Sequence, residues 1–300
     1  MQLKQAQRQQ VKLRVGISGA SGFGKTYSAL LLAFGITNDY SKIAIIDTEN
    51  KSACLYSHLG NYNTLSIEAP YSPEKHIEAI KTCENPSIEV IIIDSISHEW
   101  TGSGGCLELH DKLGGRFQDW APITKRHQAF IDKILSSKCH IITTTRRKTD
   151  YSMDVGSNGR TKVIKHGTKE ITRDGFEYEL MINFEIINDN HLAKASKDRT
   201  GLFMNKPEFV INAATGKKLM SWCNNGINIE TVKQEIAKCE TLEGLRHVYS
   251  KYPNLKTEMY NDIMERKAQI EQIQSVIIPK EQIVNQQNHY ENGDTNTTTE

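Results

Sequence analysis

The sequence predicts an α/β fold: a mostly parallel sheet covered by helices, with a β-hairpin extension and a small helical C-terminal region. Two observations carry this reading. From residue 11 to residue 145, short apolar runs alternate with stretches of helical period, the pattern of right-handed strand–helix–strand units. One run, IEVIIID at 88–94, is apolar almost throughout, as suits a strand buried on both faces.

The elements follow in order. VKLRVGIS (11–18) reads as a strand, then a Gly-rich turn, then a helix from about Lys25 through Phe34. IAIID (43–47) is a second strand, and KSACLYSHLG (51–60) a short helix closed by Gly60. TLSIEA (64–69) is a third, weaker strand. PEKHIEAIKTCE (73–84) opens with Pro, which suits a helix N-terminus. Beyond the strand at 88–94, residues 98–119 are Gly-rich and carry no assigned structure. WAPITKRHQAFIDKILSS (120–137) places Ile123, Phe130, Ile131, Ile134 and Leu135 near helical spacing. CHIITTT (139–145) is another strand.

The alternation then breaks. Residues 146–175 are basic, contain glycine, lack apolar periodicity and read as a long loop. FEYELMINFEII (176–187) and HLAKASKD (191–198), joined by Asn188-Asp189-Asn190, read as a β-hairpin. EFVINAATGKKL (208–219) adds a short strand and a turn. The expected organisation is a polar extension at 1–10, a core at 11–222, a helical region at 228–275 and a disordered tail at 276–300. Ten of the last 16 residues are Asn, Gln or Thr, too polar to bury a core.

Composition narrows the function. Lys and Arg number 37 against 36 Asp and Glu, which excludes a polybasic nucleic-acid coat and an acidic solvating protein. The balance is partitioned, however. Residues 146–173 carry eight basic and three acidic side chains, and residues 221–300 eight basic and twelve acidic. No run approaches the roughly 18 apolar residues of a membrane span. MQLKQAQRQQ lacks the apolar stretch of a secretory leader. The six cysteines have no CxxC spacing and read as reduced thiols. A cytoplasmic protein without membrane partners is expected.

The chemistry is concentrated in Gly19-Ala20-Ser21-Gly22-Phe23-Gly24-Lys25-Thr26, a full GxxxxGK[ST] match between a strand and a helix. The glycines let backbone N–H groups turn inward onto phosphate oxygens, and the helix N-terminus adds its positive end. In this motif Lys25 reaches the β- and γ-phosphates and Thr26 offers its hydroxyl to Mg²⁺. ATP and Mg²⁺ are therefore the expected cofactors. Asp94, ending the apolar strand, is the expected second metal-side group, giving Thr26 and Asp94 as the metal pair. A hydrolase also needs a group that orients the attacking water. Glu49, after strand 43–47, and Glu99, five residues past Asp94, both qualify by topology.

These pieces resemble the RecA-type recombinase ATPases. GASGFGKT, IDTEN, IIIDSIS, ITTTRRKTDY, GFEYEL and KDRT occur in order, and 11–204, about two thirds of the chain, is similar to the compact RecA-like ATPases of tailed phages. The resemblance implies a RecA-like P-loop NTPase core and assigns the catalytic carboxylate to Glu49. It places the strand of Thr143-Thr144-Thr145-Arg146 between the P-loop strand and the Asp94 strand, with Thr144, Thr145 or Arg146 as the residue sensing the γ-phosphate. It also implies that Lys197 and Arg199 serve a neighbouring subunit, so the chain would act as a homo-oligomer. A phage single-strand-binding or recombination protein is the further partner it suggests, in a bacterial host's cytoplasm.

In that reading 146–173 is the DNA-binding loop. Arg146, Arg147, Lys148, Arg160, Lys162, Lys165, Lys169 and Arg173 would contact phosphates, and nearby aromatics would stack on unpaired bases. The expected function is a DNA-stimulated ATPase acting on single-stranded DNA in recombination, annealing or repair. The alternative is an oligomeric RecA-fold switch or assembly ATPase working on protein partners. A small P-loop kinase fits less well, because Lys197-Asp198-Arg199 makes a poor substrate lid.

Overall fold

Six parallel strands form the spine of a nine-stranded sheet in the order β3-β2-β4-β5-β1-β7, extended by antiparallel β8 and β9. The computed structural model describes residues 11–155, 161–224, 229–252, 255–256 and 259–273. The strands are β1 (Arg14–Gly19), β2 (Ile43–Asp47), β3 (Asn63–Ser66), β4 (Val90–Asp94), β5 (His140–Val155), β6 (Thr161–Glu170), β7 (Ile182–Ile186), β8 (Leu192–Asp198) and β9 (Phe209–Val210). The chain divides between Cys223 and Asn224 into two units.

Strand periodicity builds two cores, one on each face. Ile43, Ile45, Val90, Ile92 and Ile142 point to one side, where they meet Ala29, Leu30, Leu32, Ala33 and Ile36 of helix α1 (Lys25–Thr37). Their neighbours Ala44, Ile46, Ile91, Ile93 and Ile141 point to the other. There they pack on α2 (Pro73–Cys83) and α5 (Trp120–Ser136) through Ala79, Ile80, Phe130, Ile131 and Ile134. This two-sided burial is why the strands read as continuous apolar runs. Helix α7 (Ala213–Asn224) crosses α1 with backbones touching: a Cβ on Gly35 would lie 2.1 Å from Ala213 O. Arg14, buried at the start of β1, donates to Leu135 O and Ser137 O and so caps the end of α5. Burial lowers its pKa to about 10.

Three expectations are corrected. The stretch after Arg146 is not a loop. β5 runs on to Val155 and pairs antiparallel with β6, forming a two-stranded ribbon. β1 pairs β5 only as far as Arg146, so the ribbon beyond has no described third strand and no core to impose apolar periodicity. Residues 176–179 form a short helix, α6 (Phe176–Glu179), entered through Gly175 at φ 93°, and the expected hairpin begins only at β7. The turn expected after β9 is helix α7. The Gly-rich stretch 98–119 contains α3 (Ser97–Thr101) and α4 (Cys106–Lys112).

The second unit holds α8 (Ile229–Lys238), α9 (Leu242–Lys251) and a helix over 260–273. Val232, Ile236, Leu245, Val248 and Ile270 form its own core. The polar extension at 1–10 and the tail expected at 276–300 lie outside the described residues. Among the described residues, no helix is long and apolar enough to cross a membrane.

Candidate nucleotide site

β1 ends at Gly19 and α1 starts at Lys25, so the motif spans the turn between them. Gly22 and Gly24 both sit at φ 82°, a conformation that side chains with a Cβ rarely adopt. α1 has no acidic residue in its first turn, which leaves its positive end uncompensated by its own side chains. Lys25 is almost fully buried and donates from Nζ to Ala20 O at 2.9 Å. Burial lowers its pKa, against the opposing pull of Glu49 and Asp94.

Asp94 ends β4, is 1% exposed, and is followed by a cis peptide to Ser95. Thr26 Oγ1 donates to its Oδ2 at 2.7 Å, and Thr144 Oγ1 donates to its Oδ1. Burial raises the Asp94 pKa, and those two hydrogen bonds oppose the rise. Thr26 and Asp94 thus bring a hydroxyl and a carboxylate together at the phosphate end of the sheet. That oxygen-rich donor set fits a hard divalent cation such as Mg²⁺.

Glu49 is aimed by the turn before it. Asp47 accepts from Glu49 N at 2.6 Å and from Ala53 N at 2.8 Å, while Asn50 and Lys51 turn through left-handed φ of 54° and 64°. Glu49 therefore lines a 440 Å³ cleft with Lys25, Thr26, Asp94 and Arg146. Glu99 does not. It is 1% exposed, and its carboxylate is held by His127 Nδ1 at 3.1 Å and Cys106 Sγ at 3.0 Å. Of the two acids that topology allowed, Glu49 is the one at the cleft.

β5 lies between β1 and β4. The hydroxyl reaching Asp94 is that of Thr144, not Thr145, because successive residues on a strand face opposite ways. Arg146 follows with its N–H on Ser97 Oγ and its guanidinium on Glu49.

Lys197 and Arg199 sit elsewhere. Lys197 is level with Asn183 and hence with Gly16, three residues or about 10 Å back along β1 from Gly19. Lys197 Nζ donates to Glu177 O at 2.8 Å, and Arg199 to Tyr178 O at 3.0 Å. Neither approaches its own P-loop.

The basic residues of 146–173 also divide. Arg147 pairs with Glu170 and Glu185, each at 3.3 Å, and Arg146 with Glu49. Carboxylates thus engage both guanidiniums, although the Arg146 side chain stays partly exposed. Lys148, Lys169 and Arg173 instead line a 910 Å³ groove opposite Trp100, Phe117 and Trp120. Phe117 is 94% exposed, and Lys169 pairs with Asp174 at 2.7 Å. Arg160 and the side chains of Lys162 and Lys165 lie outside the described residues.

Several cleft residues carried no sequence signal. Tyr27 and Tyr56 tilt together at 5.6 Å on one wall, and Ile211 lines the cleft as well. His191, in the β7–β8 turn at φ 62°, sets Nδ1 2.9 Å from Phe23 O. The Asn-Asp-Asn-His turn marked the bend but not its contact with the phosphate loop.

Together, the parallel sheet, the glycine-turned loop and the Thr26–Asp94 pair define an α/β P-loop nucleotide-binding domain. The family model for the AAA domain matches residues 11–210, and the chain belongs to that family. It carries an AAA-type ATPase domain. A search among curated proteins finds no match to the chain.

Proposed function

We propose that this chain is a RecA-like ATPase acting on single-stranded DNA, in phage-type recombination, annealing or repair. The observation that carries the reading is the groove between Trp100, Phe117 and Trp120 on one side and Lys148, Lys169 and Arg173 on the other. Phe117 offers an exposed face that can stack on a base, Trp100 and Trp120 being stacked on each other, and cations beside it can meet phosphates; these are the requirements for gripping an unpaired strand. One wall of the groove is the base of the β5–β6 ribbon, and β5 is also the strand that bonds Asp94. Nucleotide and strand would thus be read by one element.

In this mechanism the loop N–H groups and Lys25 bind the phosphates, and Thr26 and Asp94 would hold a divalent ion. That ion would supply charge neutralisation at the β- and γ-phosphates. Glu49 orients the attacking water and accepts its proton. Thr144 ties Asp94 to β5, and Arg146 carries the state of Glu49 to the ribbon. Lys197 and Arg199, remote from their own P-loop, act on a neighbour's nucleotide as arginine fingers do, which makes the active species a homo-oligomer.

The test is the ATPase rate with and without single-stranded DNA, read beside particle size and a salt-dependent gel shift. DNA stimulation with assembly is the expected result. ATP hydrolysis without any DNA affinity at low salt would replace this reading with a switch acting on protein partners.

A further inference from the structure

Glu99, Cys106 and His127 come from three different helices, α3, α4 and α5, and their ligand-capable atoms all lie within 4.8 Å of one another. All three are buried, at 1%, 0% and 5% exposure. None lines the nucleotide cleft. Among the described residues no other cluster of this kind occurs. We propose that the three residues form a structural site for a zinc-class divalent cation.

The geometry is close to what such an ion needs. His127 Nδ1 stands 3.1 Å from both carboxylate oxygens, and Cys106 Sγ 3.0 Å from Oε1. Around a tetrahedral zinc, bonds of about 2.0–2.3 Å set neighbouring ligand atoms about 3.3–3.5 Å apart. The two contacts to Glu99 need to open by only a few tenths of an ångström, and Cys106 Sγ and His127 Nδ1, within 4.8 Å of each other, close onto the same ion through side-chain torsions.

The charges also fit. A thiolate and a carboxylate balance a doubly charged ion, with neutral imidazole as the third ligand. Binding releases the Cys106 thiol proton to solvent, while His127 moves its ring hydrogen from Nδ1 to Nε2. The surroundings are largely aromatic. The Trp100 ring stands 5.4 Å from the His127 ring, and Phe130 packs between His127 and His76. His76 adds a second observation. It is 1% exposed, its Nδ1 bonds Ser72 O, and its Nε2 is a buried nitrogen without a partner. It lies near enough to feel the charge of Glu99. His76 lies outside the cluster, so a fourth ligand would be water. The ion would pin the three helices that follow β4, and it is separate from the Mg²⁺ expected at Thr26 and Asp94. The inference stands whether or not the chain acts on DNA.

The purified full-length protein is loaded with Zn²⁺ or Co²⁺ alone, freed of excess, and assayed for bound metal. The cobalt form is read for thiolate-to-cobalt charge-transfer absorption. One equivalent of metal and a clear band are expected. Cys106→Ser should lose both, while Cys54→Ser, which alters an exposed cysteine outside the cluster, should keep both. Circular dichroism checks the fold of each variant, and His127→Gln provides the same comparison if Cys106→Ser does not fold. Sub-stoichiometric metal in the unaltered protein, or a band that survives Cys106→Ser, overturns the proposal.

Discussion

Glu49 Oε1 accepts a 2.8 Å hydrogen bond from Arg146 Nε, joining the turn after β2 to the point where β5 leaves the sheet. The carboxylate at the nucleotide cleft is thus held by the cation at the base of the ribbon. If Glu49 orients the attacking water, Glu49→Gln keeps an oxygen for Arg146 but no longer accepts a proton. The variant should bind ATP normally and turn over roughly 100- to 10,000-fold more slowly. Phosphate release beside nucleotide binding checks this, and a normal rate would move the role away from Glu49.

Removing the other partner tests the connection rather than the chemistry. Both side chains are partly exposed, so their pairing adds no more than about 1 kcal/mol to stability. Arg146→Ala should therefore leave the melting temperature nearly unchanged. If single-stranded DNA stimulates the ATPase as proposed, the ratio of stimulated to basal rate should fall toward one. Stimulation that survives the substitution would show that DNA occupancy reaches the nucleotide by another route.

The groove makes separable predictions for its two walls. Phe117 has almost no packing to lose, so Phe117→Ala should leave folding intact while weakening single-stranded DNA binding by about 1–3 kcal/mol. Lys148→Ala should weaken binding and reduce the dependence of log affinity on log salt by about 0.7. Titrations at several salt concentrations distinguish the two. Equal salt slopes for Lys148→Ala and the unaltered protein would remove Lys148 from the phosphate contacts.

The parts legible in the sequence were those set by local chemistry. The P-loop needs glycine at fixed positions, and β4 needs apolar residues on both faces, so both are visible in a short window. The ribbon is not legible in the sequence because a two-stranded extension has no core face to print a pattern. The destinations of Arg146 and Arg147 were hidden for a different reason. Their carboxylates come from the turn after β2, from β6 and from β7, and the nearest in sequence, Glu170, is 23 residues from Arg147. Glu49 and Glu99 could not be separated by position alone, since each follows a strand. His127, 28 residues after Glu99, turns that carboxylate inward.

The α1–α7 crossing gives a prediction in which two effects oppose each other. Alanine in place of a helical glycine gains about 1 kcal/mol of propensity. At Gly35, however, the added Cβ would meet the Ala213 carbonyl oxygen at 2.1 Å and Gly216 Cα at 2.9 Å. Backbone atoms cannot swing aside as a side chain can, so the helices must separate. Gly35→Ala should be destabilised by about 1–3 kcal/mol in denaturant titration. A variant as stable as the original would show that the helices stand further apart.

His140 sets a pH dependence whose sign follows from its hydrogen bond. The ring is buried at the start of β5 and accepts from Leu13 N at 3.0 Å, a role only the neutral form can fill. Burial, helped by Lys12 and Arg14, lowers its pKa from 6.5 to about 3. Above pH 6.5 the ring is neutral in both folded and unfolded chains and has no effect on the slope. Below it, the unfolded chain takes a proton that the folded chain refuses until about pH 3. Stability should fall through that window by up to about 1.4 kcal/mol per pH unit. His140→Gln retains an acceptor for Leu13 and cannot titrate. Between pH 7 and pH 5 the original protein should therefore lose about 2 kcal/mol more than the variant. Burial lowers the pKa of His76 as well, but that contribution is present in both proteins and cancels in the difference. Equal losses in urea titrations at the two pH values would mean that His140 is protonated within the fold.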